Sequence, residues 1–259
     1  MKVAVVSPGR DNYSETFVRG HVERLGDHVG EVTHLYGDAV PVWRDDHRAL
    51  PPALLCARGE GLGKLFGTDG DEVSALLARQ LRRGTSVREW FLARYLRREG
   101  VDLVLAEFGP TGDAMRPVTA RADCPLVVHF HGYDAYRESV LARHDGYRAL
   151  FRDAAAVVAV SDAMVGQLEA LGADPARLHA IPYGVDLERF ELADVSTADP
   201  VLVAVGRFVD KKSPHLTIMA FAAAAEERPS ARLVMAGDGP LRDSCRTLAR
   251  ALGVADRVA

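Results

Sequence analysis

Arg207, Lys211 and Lys212 stand close together between the apolar run 201–205 and an Ala-rich stretch that begins after Pro214. An Arg fork and a Lys point charge neutralise phosphate oxygens, and a helix N-terminus offers free N–H groups to the same anion. Ser213 and Pro214 suit the N-cap and first position of that helix, so the stretch is a diphosphate candidate. An ordinary solvated strand-to-helix loop can carry the same residues, and this segment alone leaves both readings open. A second set is His129-Phe130-His131-Gly132-Tyr133-Asp134. Alternation puts both imidazoles on one strand face. They could bind a metal, yet no third ligand stands at a telling spacing, so no metal is expected. His129 lies inside the apolar run and reads as structural; His131, at the strand's end, reads as a substrate contact. Asp134 is a carboxylate for substrate or a turn cap, and Ser161-Asp162 reads first as a helix cap.

Several familiar motifs are missing. No GxGxxG follows the first strand, Gly61-Leu62-Gly63-Lys64 lacks P-loop spacing, and neither GxSxG nor HExxH occurs.

The elements that must position these residues follow a regular beat. Strands are expected at 3–6, 29–35, 101–106, 126–130, 155–160 and 178–182. Helices are expected at 15–25, 71–83, 86–99, after Gly112, at 137–151 and at 162–171. Apolar strands alternating with helices make a parallel sheet covered on both faces. The fold class is therefore α/β, with a complete Rossmann-like unit at 1–190, a polar linker at 191–199 and part of a second Rossmann-like unit at 200–259. In that second unit, strands 201–205 and 232–236 alternate with helices 215–227 and 240–252. Residues 256–259 approach a third strand, which leads us to expect a longer two-domain protein; one continuous sheet is the alternative. Ligands of open parallel sheets bind beyond the carboxyl ends of the strands. Those ends read Ser7-Pro8-Gly9-Arg10, Glu107 to Gly112, His129 to Asp134, Ser161-Asp162, Gly206-Arg207 and Gly237-Asp238-Gly239-Pro240.

A net charge of −4 lacks the basic footprint of a nucleic-acid binder. Cys56, Cys124 and Cys245 are far apart and form no CxxC pair, which argues for a reducing compartment without disulfides or a zinc ribbon. The first apolar run is too short for a signal peptide, and no stretch is long enough to span a membrane, so the expectation is cytoplasmic. On helix 86–99, Phe91, Leu92, Tyr95 and Leu96 share one side, while Trp90, Arg94 and Arg97 share the other. That polar side suits anionic lipid or a lipid-linked substrate, or is a solvated face with Trp90 packed under a loop.

Taken in order, these pieces resemble glycosyltransferase family 4: retaining, nucleotide-sugar-dependent enzymes of the GT-B fold. The matching segments are Ser14-Glu15-Thr16-Phe17-Val18, His129 to Asp134, Val160-Ser161-Asp162, Ile181-Pro182-Tyr183-Gly184-Val185-Asp186 to Phe190, Val205-Gly206-Arg207 with Lys212, and Leu233 to Leu241. The resemblance implies that Arg207 and Lys212 grip the donor diphosphate and that His131 contacts the donor sugar near the reacting carbon, as the catalytic residue. It places Gly206, Gly237, Asp238 and Gly239 at the nucleotide, the two latter glycines where a Cβ would obstruct the base. Ser14, Glu15, Thr16, Asp134 and Ser161 fall on the acceptor and sugar side. The donor is a UDP- or GDP-sugar and the acceptor a saccharide or lipid-linked molecule, as in cell-surface polysaccharide or glycolipid synthesis. No cofactor, metal or nucleic acid is implied, and peripheral contact at the inner membrane face is compatible. The family's pair of donor-binding glutamates, beyond the second unit's third strand, is not in this sequence, so little transfer is expected from these residues alone. A non-catalytic glycan- or partner-binding module and a GT-B sugar-nucleotide epimerase are the competing readings.

Overall fold

A computed structural model describes residues 1–9, 16–36, 87–185, 187–190, 192, 194 and 198–259. The expected helix 71–83, Ser14, Glu15, Cys56 and the Gly61–Lys64 segment lie outside the described residues. The chain divides into two compact units, Met1–Val185 and Asp186–Ala259.

In the first unit, β1 (Lys2–Ser7), β2 (Glu31–Tyr36), β3 (Leu103–Glu107), β4 (Leu126–Phe130), β5 (Ala156–Ala159) and β6 (Leu178–Ala180) form one parallel sheet in the order β2-β1-β3-β4-β5-β6. Because β2 and β3 flank β1 on opposite sides, the strand order reverses there, and the crevice beyond these strand ends is where such sheets hold ligands. Among the described helices, α1 (Thr16–Val29), α2 (Val87–Arg98), α3 (Gly109–Ala122), α4 (Tyr133–Tyr136), α5 (Glu138–Arg143), α6 (Arg148–Asp153) and α7 (Asp162–Ala170) belong to this unit. A continuous apolar core joins the strands to α2, α3, α6 and α7. The expected amphipathic face of α2 is present, with Phe91, Leu92, Tyr95 and Leu96 buried.

Three sequence expectations shift. α1 runs on through Val29, and Gly30, at φ +82°, turns the chain so that β2 starts at Glu31. The helix expected after Gly112 begins at Gly109 instead, with Pro110 in its first turn. A Cβ at Gly109 would stand 2.4 Å from the Phe130 ring, and one at Gly112 2.7 Å from Val128. Both glycines therefore let α3 lie close against β4, the reason for glycine in a helix where propensity disfavours it. Finally, the single helix expected at 137–151 is broken into α5, a 3-10 turn at Asp145–Tyr147 and α6. Asp145, Gly146 and Tyr147 all have positive φ, and the break drops the Tyr147 ring into the core, fully buried.

The second unit holds β7 (Val201–Val205), α8 (Pro214–Glu227), β8 (Arg232–Ala236) and α9 (Arg242–Ala251), with β7 and β8 paired in parallel. Val258 bridges to Leu233, as the approach to a third strand requires. The apolar composition of 201–205 predicts a strand buried on both faces. Instead Val201, Val203 and Val205 are 43, 67 and 82% exposed, because α8 and α9 share a core with only the Ala204, Leu233 and Met235 side of the sheet. No described helix is long and apolar enough to cross a membrane.

Candidate functional site

The first unit concentrates ionisable side chains where β3 and β4 end. Strand pairing sets Glu107 opposite His129, and α1 brings Phe17 and His21 over the same strand ends. The Glu107 carboxylate is completely buried. One oxygen accepts from His21 Nδ1 at 2.7 Å, the other from His131 Nε2 at 2.7 Å. Burial by itself would push this carboxyl up; the hydrogen bonds from His131 and His21 outweigh it and bring the pKa down to about 2. The carboxylate is therefore charged, and each imidazole must supply the hydrogen it accepts. His131 uses its other nitrogen, Nδ1, to meet the Tyr183 hydroxyl. Phe17 stacks on the His131 ring at 4.2 Å and on Tyr183 at 4.8 Å, leaving the imidazole 2% exposed.

His129 is buried as the sequence predicted, and its ring lies 4.3 Å from that of His131. Burial, with His131 beside it, pulls its pKa down to about 3, so it stays neutral. The third ligand that sequence spacing did not offer is supplied by the fold: His21, Glu107 and His129 carry ligand atoms within 4.8 Å of one another. However, 2.7 Å between His21 Nδ1 and Glu107 is the length of a hydrogen bond with a shared proton. Two ligands about 2.0 to 2.2 Å from one tetrahedral metal would stand wider apart.

Both groups destabilise the fold in acid. Between about pH 6.5 and 3 the unfolded chain binds a proton that folded His129 refuses, so stability present above that range falls as pH drops. Below about pH 4.5 Glu107 adds to the loss, since its carboxyl protonates first in the unfolded chain. Urea unfolding across this range should show a steady decline, and His129→Leu should flatten its upper part. An unchanged profile in that variant would show that His129 is not the group responsible.

Asp134 is also completely buried, and its oxygens accept from the backbone N–H groups of Gly109, His131 and Gly132 at 2.8 to 3.2 Å. The sequence left it between substrate contact and turn cap; the structure makes it the tie between the start of α3 and the loop after β4. Ser161 is exposed and caps α7 through Met164 N–H, and Thr16 is exposed at the start of α1. Ser7 Oγ lies 2.8 Å from His34 Nε2, a nucleophile-like pair, but its proton goes to the Gly9 carbonyl, so the pair is structural.

Trp90, Ala93, Arg94, Arg97 and Arg121 line a separate depression of about 320 Å³. The Arg94 guanidinium stands 5.7 Å from the Trp90 ring centre, within cation–π range.

In the second unit, two loops at the strand ends are bound backbone to backbone. Gly206 N–H donates to Ala236 O, and Phe208 N–H to Asp238 O. A Cβ on Gly237 would lie 1.9 Å from Gly206 O, and one on Gly239 2.5 Å from Phe208 O, with φ of +156° and +149°. The loop packing itself therefore demands glycine at both positions. Asp238 is exposed and lies 3.7 Å from Arg242. Arg207 and Lys212 are exposed and line one small depression of about 80 Å³ with Gly206 and Pro214 at the start of α8. Neither forms an ion pair among the described residues. Ser213 precedes α8 with φ +47°, and its hydroxyl donates to Asp210 O instead of capping. The expected side-chain cap is absent; Pro214 has no N–H, Leu216 N–H donates to Ser213 O, and His215 N–H has no side-chain partner there. The larger cavity of this unit, about 670 Å³, lies beside α9; Gly237 reaches it but Arg207 and Lys212 do not.

Sequence reasoning missed Glu107 as a residue, along with His21. The signal for Glu107 was available, as the acid that ends the apolar run from Leu103. His21 gave none, being one polar residue of an amphipathic helix.

Comparison with known proteins agrees with this architecture. The profile described as Glycosyltransferase Family 4 matches residues 53–189, and that described as Glycosyl transferases group 1 matches residues 188–259. The chain is 29% identical over 152 residues to WcaL of Escherichia coli K12, named for colanic acid biosynthesis; the match covers 57% of this chain and 37% of WcaL. It is 31% identical over 185 residues to the D-inositol 3-phosphate glycosyltransferase of Actinosynnema mirum, covering 61% and 44%. The matches thus span less than half of these relatives' length. Among solved structures, Anabaena HepE in complex with UDP aligns with a TM-score of 0.62 at 16% identity, over all of this chain and 68% of that one. The sucrose-phosphate synthase of Thermosynechococcus elongatus aligns at 0.63 and 17%, over all of this chain and 69% of that one. The α/β fold is that of GT-B glycosyltransferases, and the chain belongs to glycosyltransferase family 4.

Proposed function

We propose that the protein takes part in transfer of a sugar, with retention, from a UDP- or GDP-sugar to a saccharide or lipid-linked acceptor. The observation that carries this reading is the small cationic depression in the second unit. Arg207 and Lys212 line it beside an uncapped helix N-terminus, with no carboxylate paired to either cation among the described residues. A leaving nucleoside diphosphate accumulates negative charge, and fixed cations with helix N–H groups stabilise that charge without a resident metal. HepE, whose fold this chain shares, has been solved with UDP and with UDP-glucose, which supports a nucleotide-sugar as donor. Gly206, Gly237, Asp238 and Gly239 shape the loops beside the cations and are assigned to the nucleotide. On the first unit, His131 is assigned to the sugar, and Ser14, Glu15, Thr16 and Ser161 to the acceptor side. A cytoplasmic site of action belongs to the same reading. The Trp90 and Arg94 face suits peripheral contact with anionic lipid.

Calorimetric titration with UDP and with GDP tests the donor side. Charge-assisted bonds to phosphate contribute about 1.5 to 3 kcal/mol each, so Arg207→Ala and Lys212→Ala should each weaken binding about 10- to 100-fold. Both side chains are exposed, so the melting temperature should not move. Unchanged affinity in both variants would refute the assignment, and glycan binding indifferent to nucleotide would favour a binding module.

A further inference from the structure

We propose that Glu107 is a positioning residue that holds His131 with its proton on Nε2, so that Nδ1 is presented as a hydrogen-bond acceptor to a hydroxyl of the bound sugar. The proposal rests on the reading of His131 as a sugar-side residue. A charged carboxylate only accepts, so the 2.7 Å contact from Glu107 to Nε2 requires the hydrogen on that nitrogen. In the neutral ring Nδ1 is then left with its lone pair. A histidine without such a partner exchanges its proton between the two nitrogens, and its preference changes with whatever touches it.

The packing leaves Glu107 little freedom to do otherwise. Its register opposite His129 on β4 is fixed, its second oxygen is held by His21, and Phe17 covers the face of the His131 ring. Oxygen, imidazole and strand therefore form one rigid chain of contacts, of the kind that orients a ligating group from behind. At Nδ1 the partner is the hydroxyl of Tyr183, which brings the hydrogen that Nδ1 lacks and holds the place a sugar hydroxyl would take over by displacing it. A sugar hydroxyl has the same chemistry. A sugar carboxylate does not: it would set lone pairs against a lone pair, with the Glu107 charge directly behind. The site is thereby matched to a neutral sugar at this position.

The test is nitrogen NMR of the histidine rings in ligand-free protein near neutral pH. His131 should show a protonated Nε2 and a bare Nδ1, and His21 should show the opposite, with its proton on Nδ1. In Glu107→Gln the two His131 nitrogen shifts should move toward one another as tautomers exchange, while Glu107→Asp, which keeps the anion, should restore the separation. A proton on His131 Nδ1 in the wild-type protein would overturn the proposal without reference to any variant. Unchanged shifts in Glu107→Gln would overturn it as well. Because no nucleotide is present, this failure is distinct from a failure of the proposed function, which the UDP and GDP titrations decide.

Discussion

Gly237→Ala should cost the second unit about 3 to 5 kcal/mol, a loss at the severe end for a single methyl group. The added Cβ would lie 1.9 Å from the Gly206 carbonyl oxygen, which is backbone and cannot swing aside as a long side chain would. The φ of +156° adds strain for any L side chain. Relief would require the two loops to separate, breaking the hydrogen bonds from Gly206 to Ala236 and from Phe208 to Asp238. Those bonds hold the loop that carries Arg207, so nucleotide binding should fall together with stability. Gly206→Ala is the natural control, since nothing stands within 4 Å of its Cβ and its φ is not in the positive range. Urea unfolding of the two variants decides the matter. A Gly237→Ala cost below about 1 kcal/mol would mean that the loops part easily.

What the sequence revealed follows from which interactions are local. β4, β7 and β8 were legible to the residue, because a short apolar run ended by a polar or glycine turn has few other ways to fold. The cationic loop before α8 was legible for the same reason: its cations lie within six residues of one another and its helix start follows from Pro214. The break at Asp145–Tyr147 was not, since it depends on Tyr147 finding a place in a core assembled from distant strands. Ser213 does not cap α8, because a left-handed backbone turns its hydroxyl toward Asp210. The exposed face of β7 was also illegible, as composition reports that a strand is apolar but not how many layers cover it. At the first site, His131 was singled out while its partners were not. Glu107, His21, Phe17 and Tyr183 are far from it in sequence, and only the parallel crossovers bring them together. Motif reading finds the residue; the fold supplies its electrostatics.

Asp134→Ala is expected to cost the first unit a comparable 3 to 5 kcal/mol, roughly. The buried carboxylate accepts from three backbone N–H groups, those of His131 and Gly132 only part-buried, and a buried donor left unpaired costs about 1 to 3 kcal/mol. Asp134→Asn should recover part of this, because one amide oxygen still accepts while the NH₂ group confronts a backbone donor. Hydrogen exchange supplies the specific signature: the amides of Gly109, His131 and Gly132 should lose protection, ahead of others in the sheet. An Asp134→Ala variant within about 1 kcal/mol of wild type would show that the loops are held by other means. The same contact bears on where an anion can bind. Asp134 already places a negative charge at the N-terminus of α3, the helix after β3 at the crevice of the first sheet. A phosphate brought there would meet that carboxylate. The start of α7 is likewise closed by Ser161. At the start of α8 the backbone turns its own cap away and two cations stand beside the helix. The first unit spends its strand-end chemistry on holding a histidine, and the second leaves the start of α8 without a side-chain cap, beside two cations.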